Sequence, residues 1–138
     1  MKGLTGASRT GQVEGDAAMR PGIHHVMVAM PANGVEQARR FYGALLGLEE
    51  IEKPVNLRGR GGVWFMTGNL QLHVGVDPDF HPAEKAHVAF EVDELAGVRL
   101  RLGVAGYDVT DDELLPGYDR CYVKDPFGNR MELLEPQQ

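Results

Sequence analysis

The stretch Ile23-His24-His25-Val26-Met27-Val28 decides the fold, because residues 86–92 repeat its pattern of a histidine followed by alternating apolar residues. His87 in the second stretch follows His25 in the first by 62 residues. Each stretch is typical of a half-buried strand, and each is followed by apolar residues at helical spacing. The chain therefore contains two copies of a unit that begins with a strand and a helix.

The first copy continues with three further strands. Its helix is predicted between Asn33 and Glu36, whose spacing resembles a capping box, and the helix-ending Gly47. Strands are predicted over residues 51–53, 63–66 and 70–76, separated by the glycine-rich loop 58–62 and by residues 67–69. This order predicts a βαβββ unit.

The second copy follows the same plan. Its strand at residues 88–92 leads to a helix that we expect Asp93 to cap and Gly106 to end. Three strands follow, predicted over residues 107–110, 120–124 and 130–134. The last two are joined by residues 125–129, which place Pro and Gly where a tight turn needs them. Residues 77–84 form the linker between the copies.

Composition limits the classes of function. The 138 residues are 43% hydrophobic and carry a net charge of −6, with basic residues scattered rather than grouped, so a nucleic-acid partner is not expected. No apolar run reaches membrane length, and the single cysteine is compatible with a cytoplasmic protein. Residues 1–21 are predicted to be a flexible tail, and residues 22–138 a single domain.

Alternation along the strands predicts which side chains meet. In each unit, one face of the strands packs against the helix. The opposite faces carry His25, either Gln71 or His73, His87 and Glu132. If each sheet curls away from its helix, those faces are concave and the four positions converge. Imidazole, amide and carboxylate ligands are suited to a divalent metal ion with open positions for substrate. We therefore expect an α+β fold of two tandem βαβββ units, with curled mixed sheets around a metal-binding cavity.

These features together resemble the vicinal oxygen chelate superfamily, which includes glyoxalase I, extradiol dioxygenases and bleomycin resistance proteins. The resemblance extends over residues 22–136 and is carried by the segments IHHVMVAMP, ARRFYGALLGL, AHVAFEVDEL and DPFGNRMELLEP. It implies that the first and last strands of each unit hold the metal, which assigns His25, Gln71, His87 and Glu132 as ligands. It also implies one divalent ion per site, such as zinc, nickel, cobalt, manganese, magnesium or iron(II), and a homodimer, and it leaves open whether the ligands of one site come from one chain or from both.

The resemblance implies an enzyme more than a binding protein, because all four ligand positions are filled. We expect a metal-dependent lyase or isomerase that stabilises an enolate or oxyanion of a small bidentate substrate, with Glu132 as the catalytic base. His73, Tyr118 and Arg120 are further candidates for substrate contacts. Glyoxalase I typically has glutamate where Gln71 stands, so two alternatives remain: an extradiol-type iron dioxygenase and a non-catalytic, antibiotic-binding protein that resembles bleomycin resistance proteins.

Overall fold

The computed structural model describes residues 21–138, so the predicted flexible tail lies outside the described residues except for its last position. The first unit contains strands β1 (His25–Met30), β2 (Glu49–Ile51), β3 (Val63–Thr67) and β4 (Leu70–Val76). Its helix α1 (Val35–Ala38) continues as a π-helix over Arg39–Leu45. The second unit contains β5 (Val88–Glu91), helix α2 (Leu95–Val104), β6 (Val109–Thr110), β7 (Tyr118–Lys124) and β8 (Arg130–Pro136).

Both units form the same four-stranded mixed sheet. The strand order is β1-β4-β3-β2 in the first and β5-β8-β7-β6 in the second. In each sheet the first and last strands of the unit pair in parallel, while the remaining neighbours are antiparallel. The predicted α+β architecture of two repeated βαβββ units is therefore confirmed.

Several element boundaries differ from the prediction. The second strand lies at Glu49–Ile51 rather than at residues 51–53, because Ile51 is the last residue that pairs with β3, opposite Trp64. The segment expected to be a loop contains a 3₁₀-helix over Val55–Arg60, which begins directly after Pro54. The strand predicted over residues 107–110 is only two residues long.

The predicted capping box on α1 is not formed. Asn33 adopts a left-handed conformation with a φ of 70°, and Gly34 stands at the N-cap without a side-chain hydrogen bond. The Glu36 carboxylate instead binds Arg39 at 2.5 Å. The expected end of the helix is confirmed, since Gly47 follows it with a φ of 82°.

The cap of α2 also comes from an unexpected place. Its N-cap residue is Glu94 rather than Asp93, and the Glu94 side chain makes no capping hydrogen bond within residues 21–138. The Leu95 amide donates instead to the Glu135 carboxylate on β8, at 3.0 Å. A helix N-terminus favours negative charge, so this carboxylate ties the helix to its own sheet.

Buried side chains from both units form one hydrophobic core within residues 21–138. The π-helix places two consecutive aromatic residues, Phe41 and Tyr42, in this core, and neither is exposed to solvent. From the second unit, Leu102 and Met131 are equally buried. Burying side chains of this size stabilises the fold by about 1.5–3 kcal/mol each.

The turn at residues 125–129 connects the two units through hydrogen bonds. Its turn geometry is confirmed, with the Asp125 amide donating to the Asn129 carbonyl at 2.9 Å. The buried Tyr42 hydroxyl donates to Asp125 Oδ2 at 2.7 Å, and Asn129 Nδ2 donates to the Ala29 carbonyl at 2.7 Å. These two bonds join residues that are 83 and 100 positions apart in sequence.

Candidate functional site

Strand register brings the predicted ligands together in pairs. On the first sheet His25 is the direct register partner of Gln71, and on the second Ala89 is the partner of Glu132. Since His87 lies two residues before Ala89, its side chain points to the same face as Glu132. Each sheet therefore carries one pair of candidate ligands.

The pair on the first sheet is organised around His73. The His73 Nε2 atom lies 2.9 Å from Gln71 Oε1, and because an amide oxygen can only accept, the imidazole donates this hydrogen bond. The His73 ring stacks on His25 at 4.1 Å and, on its other side, on Trp64 at 3.7 Å with the rings 2° from parallel. His73 therefore fixes the positions of both candidate ligands on this sheet.

His73 is only 3% exposed. Burial, together with the nearby His25 and His24, lowers the pKa of His73 to about 4. A neutral imidazole is therefore expected at this position at neutral pH. We refer to His25, Gln71, His73 and Trp64 as the first cluster.

The pair on the second sheet is organised around Glu132, which is 5% exposed. Its Oε1 atom lies 3.0 Å from His87 Nε2 and accepts a hydrogen bond from the Tyr122 hydroxyl at 3.1 Å. Its Oε2 atom accepts a bond from Arg120 Nη1 at 3.3 Å. We refer to Glu132, His87, Tyr122 and Arg120 as the second cluster.

The environment of Glu132 favours its ionised form. Burial opposes ionisation, but the hydrogen bonds from Arg120, His87 and Tyr122 together outweigh it, so the pKa of Glu132 is lowered. Burial is also the main reason why the pKa of Tyr122 is raised, with the hydrogen bond to Glu132 adding to it. An ionised carboxylate therefore faces a protonated phenol.

His87 is oriented for coordination through one nitrogen. Its Nδ1 atom lies 2.8 Å from the Lys85 carbonyl, which can only accept, so Nδ1 carries a proton and donates. The Nε2 atom faces the Glu132 carboxylate, and it would give up its hydrogen bond to that carboxylate on binding a metal ion. A backbone carbonyl that holds the second imidazole nitrogen is typical of histidines that bind metal ions.

The four candidate ligands have the right chemistry for a metal ion, but their positions in one chain do not form a complete site. Two imidazoles, an amide oxygen and a carboxylate are suited to a divalent ion. Among residues 21–138 of one chain, however, no group of three or more His, Cys, Asp or Glu side chains lies close enough to hold such an ion. The residues fit the ion in type, but one chain presents them as two separate pairs.

The predicted substrate-contact residues lie in different places. Arg120 contacts Glu132 and Tyr122, and it also donates to the Glu113 carbonyl. Tyr118 begins β7 opposite Pro136, and within residues 21–138 its side chain makes no hydrogen bond with Glu132.

Sequence reasoning missed Tyr122 and Trp64. Alternation could have identified both. Tyr122 lies two residues beyond Arg120 on β7 and therefore shares its face, and Trp64 is the register partner of His73 on the neighbouring strand.

A cavity of about 870 Å³ adjoins the second cluster. It shares Tyr122 with that cluster, and its lining also includes Thr110, Lys124 and Arg130, but not the Glu132 carboxylate. Thr110 is the register partner of Tyr122, so both side chains project from the face that carries Glu132.

None of the helices formed by the described residues has the length and apolar character that crossing a bilayer requires.

Comparison with known proteins places this arrangement in a family. The model of the Glyoxalase/Bleomycin resistance protein/Dioxygenase superfamily matches residues 22–133. A Bacillus anthracis protein named for the glyoxalase family, whose crystal structure is known, is 45% identical in sequence. The match covers 88% of this chain and 100% of that protein's chain, with a TM-score of 0.82.

More distant structures share the fold alone. Lactoylglutathione lyase from Agrobacterium tumefaciens is 21% identical over 84% of this chain and 94% of its own, with a TM-score of 0.63. The fosfomycin resistance protein FosX from Listeria monocytogenes is 15% identical over 87% of this chain and 94% of its own, with a TM-score of 0.67. No functionally curated protein matched the chain.

Proposed function

Because this chain belongs to the Glyoxalase/Bleomycin resistance protein/Dioxygenase superfamily, we propose that it is a metal-dependent lyase or isomerase of glyoxalase type. Its substrate is a small molecule with two neighbouring oxygen atoms. The observation that carries the proposal is that each sheet presents one pair of candidate ligands from its first and last strands: His25 is the direct register partner of Gln71 in the first unit, and His87, just before β5, lies 3.0 Å from Glu132 in the second.

These four side chains would hold one divalent ion. When bound, such an ion stabilises negative charge that develops on substrate oxygens. The first cluster contributes positioning, since His73 holds the Gln71 amide and the His25 ring in place. The Lys85 carbonyl does the same for His87.

Glu132 is the group best placed to move a proton. It is ionised because hydrogen-bond donors lower its pKa, so it is in the form that accepts a proton from carbon. Tyr122 and Arg120 both donate to the Glu132 carboxylate, and either can donate to an oxyanion on a substrate beside it. Their removal is expected to weaken stabilisation of the oxyanion rather than folding.

We further propose that the complete site forms between two chains. His25 lies on a solvent-exposed face, flanked by Ile23 and Met27, whose exposed fractions are 68% and 61%. Apolar side chains beside a half-complete site indicate a surface that a partner covers. A two-fold symmetric dimer would bring the first cluster of each chain to the second cluster of the other.

Purified protein is expected to bind about one divalent ion per chain, because two-fold pairing creates two complete sites per dimer. The His87→Ala variant should lose most of this metal, measured by elemental analysis after dialysis. The exposed His81, which donates to the nearby Asp79 carbonyl, offers a matched control, and His81→Ala should keep full occupancy. Full occupancy in a His25→Ala, His87→Ala double variant would disprove the site.

Sedimentation equilibrium at micromolar concentration is expected to give a dimer. The Met27→Glu variant places a charge on the face that carries His25 and should produce monomers that no longer retain metal. Val55→Glu, at a position 76% exposed on the 3₁₀-helix, is the control and should remain dimeric. A wild-type monomer with full metal occupancy would contradict the shared site.

One observation favours a second function, a binding protein without a metal. The Arg120–Glu132 ion pair places a cation where a metal ion would compete for the same carboxylate. If the protein binds no metal, the Glu132 carboxylate is a structural partner of Arg120, and the cavity serves a non-catalytic ligand. The metal analysis above separates the two functions directly.

A further inference from the structure

We propose that Lys124 and Arg130 form an oxyanion-binding site in the 870 Å³ cavity, and that it takes a carboxylate or phosphonate group. The assignment of this group to the substrate rests on the proposed function, and it places the group at the end remote from the reacting oxygens. The anion site itself depends only on the residues that line the cavity.

The first observation is a pair of like charges on neighbouring strands. Lys124 of β7 and Arg130 of β8 are direct register partners in an antiparallel pair, so both side chains project from one face. Like charges directly opposite each other destabilise a sheet. Both residues line the cavity, and an anion placed between them would remove the repulsion.

The second observation is that Arg130 is held in place while its donors remain largely available. Its guanidinium carbon lies 4.0 Å from the centre of the Tyr122 ring, which fixes the plane of the group by a cation–π contact. Its polar contacts are long: 3.8 Å to the Asp112 carboxylate and 3.5 Å to the Lys85 carbonyl. An oriented guanidinium with unused donors is suited to bidentate recognition of an oxyanion.

Two of the acidic residues that line the cavity are engaged by other partners. Asp125 is occupied by Tyr42, Asn129 and the turn amides, and Asp111 is paired with Arg99 at 2.9 Å.

The remaining acids, Glu84, Asp108 and Asp112, lie on exposed segments outside the strands. The two basic side chains come from the sheet itself, on the face that carries Glu132. An anion beside them would be held by the sheet rather than by the exposed loops.

The position of the pair defines a class of substrate. Arg130 precedes Glu132 by two residues on the same face of β8, so the two positions are about 7 Å apart. A substrate that contacts both Arg130 and Glu132 would need an oxyanion group at one end. That group would lie two or three bonds from the pair of neighbouring oxygens at the other end. The expected substrates are small acids, rather than neutral dicarbonyls or long thioesters.

The cavity site is tested without any metal. ¹⁵N-labelled, metal-free protein is titrated with inorganic phosphate at low salt and followed by NMR. Amide shifts are expected around Lys124 and Arg130, and Arg130→Met should weaken phosphate binding by about tenfold, since a charge-assisted hydrogen bond contributes about that much. Arg130→Lys keeps the charge but loses the planar fork, and it should fall between the two.

Arg60→Met is the matched control, because Arg60 is an exposed arginine on the 3₁₀-helix of the other unit. Lys124→Met provides a second variant at an exposed position, and it should weaken phosphate binding without affecting the fold. Equal phosphate affinity in Arg130→Met, Lys124→Met and Arg60→Met would overturn the anion site.

A second arm tests the substrate class with zinc-loaded protein and two probes of equal chain length. 2-Oxoglutarate has a distal carboxylate, whereas 2-oxopentanoate ends in a methyl group. Wild type should prefer 2-oxoglutarate by about tenfold, and Arg130→Met should lose the preference. A preference that survives in Arg130→Met overturns the substrate class. If zinc-loaded protein binds neither probe while phosphate binding responds to Arg130, the proposed function fails and the anion site stands.

Discussion

The Asp125→Ala variant is expected to lower the free energy of unfolding by about 3–5 kcal/mol, which is a large part of the stability of a domain of this size. Asp125 is 4% exposed and accepts four hydrogen bonds: from the Tyr42 hydroxyl, the Asn129 side chain, and the amides of Phe127 and Asn129. Alanine would leave all four donors without this acceptor, and water cannot reach the fully buried Tyr42. Urea denaturation followed by circular dichroism measures the loss.

Two further variants show whether the loss arises from this network. Tyr42→Phe removes one bond and should cost about 1–2 kcal/mol. In the double variant the costs should not add, because both changes disrupt the same bond. Asp119→Ala is the control: among residues 21–138 its exposed carboxylate accepts a side-chain hydrogen bond from Gln137 alone, so its effect should stay within about 0.5 kcal/mol. A cost below about 1 kcal/mol for Asp125→Ala would show that the turn does not hold the units together.

Glu132→Gln is expected to lower kcat by about 10²–10⁴-fold, the usual contribution of a positioned acid or base. Glutamine keeps the shape and can still accept a hydrogen bond, but it cannot take up a proton. The assay loads metal-free protein anaerobically with zinc, nickel, cobalt, manganese, magnesium or iron(II), and adds a panel of dicarbonyl, thioester, catechol and epoxide substrates. Uptake of solvent deuterium at carbon and consumption of oxygen are followed together.

The same assay distinguishes the proposed proton transfer from oxygen chemistry. Proton transfer needs only a charge-stabilising ion, so several metals should support deuterium uptake without oxygen. Activity confined to iron(II) with oxygen would replace the lyase or isomerase with a dioxygenase. Metal content is measured on each sample, because Glu132→Gln can also lower occupancy. Deuterium uptake by fully loaded Glu132→Gln at the wild-type rate would remove Glu132 from the mechanism.

Much of the fold could be predicted because the two units repeat and their strands alternate. The predicted strand 70–76 coincides with β4, and alternation put His25 and Gln71 on facing positions of the kind that the parallel register of β1 and β4 now pairs. The helix ends at Gly47 and Gly106 followed from the left-handed conformations that glycine adopts without strain. These features depend on local sequence, which is why they were accessible.

The features that were missed depend on long-range contacts. Glu135 replaces a local cap on α2 because β8 lies beside that helix, which no neighbouring residue indicates. The turn at residues 125–129 was recognised as a turn, but its bond to Tyr42 joins positions 83 residues apart. Sequence alternation assigned the candidate ligands to one face of each sheet, yet it contains no information on whether the two faces meet within one chain or between two.

The stack of Trp64 on His73 has a practical consequence. The chain has a single tryptophan, and its indole ring lies 3.7 Å from an imidazole that contacts both candidate ligands of the first sheet. Tryptophan emission from this protein therefore originates at one known place, beside His25 and Gln71. Ligand titrations can be read optically without a label, and in unfolding experiments the emission reports the first unit, whereas circular dichroism reports both.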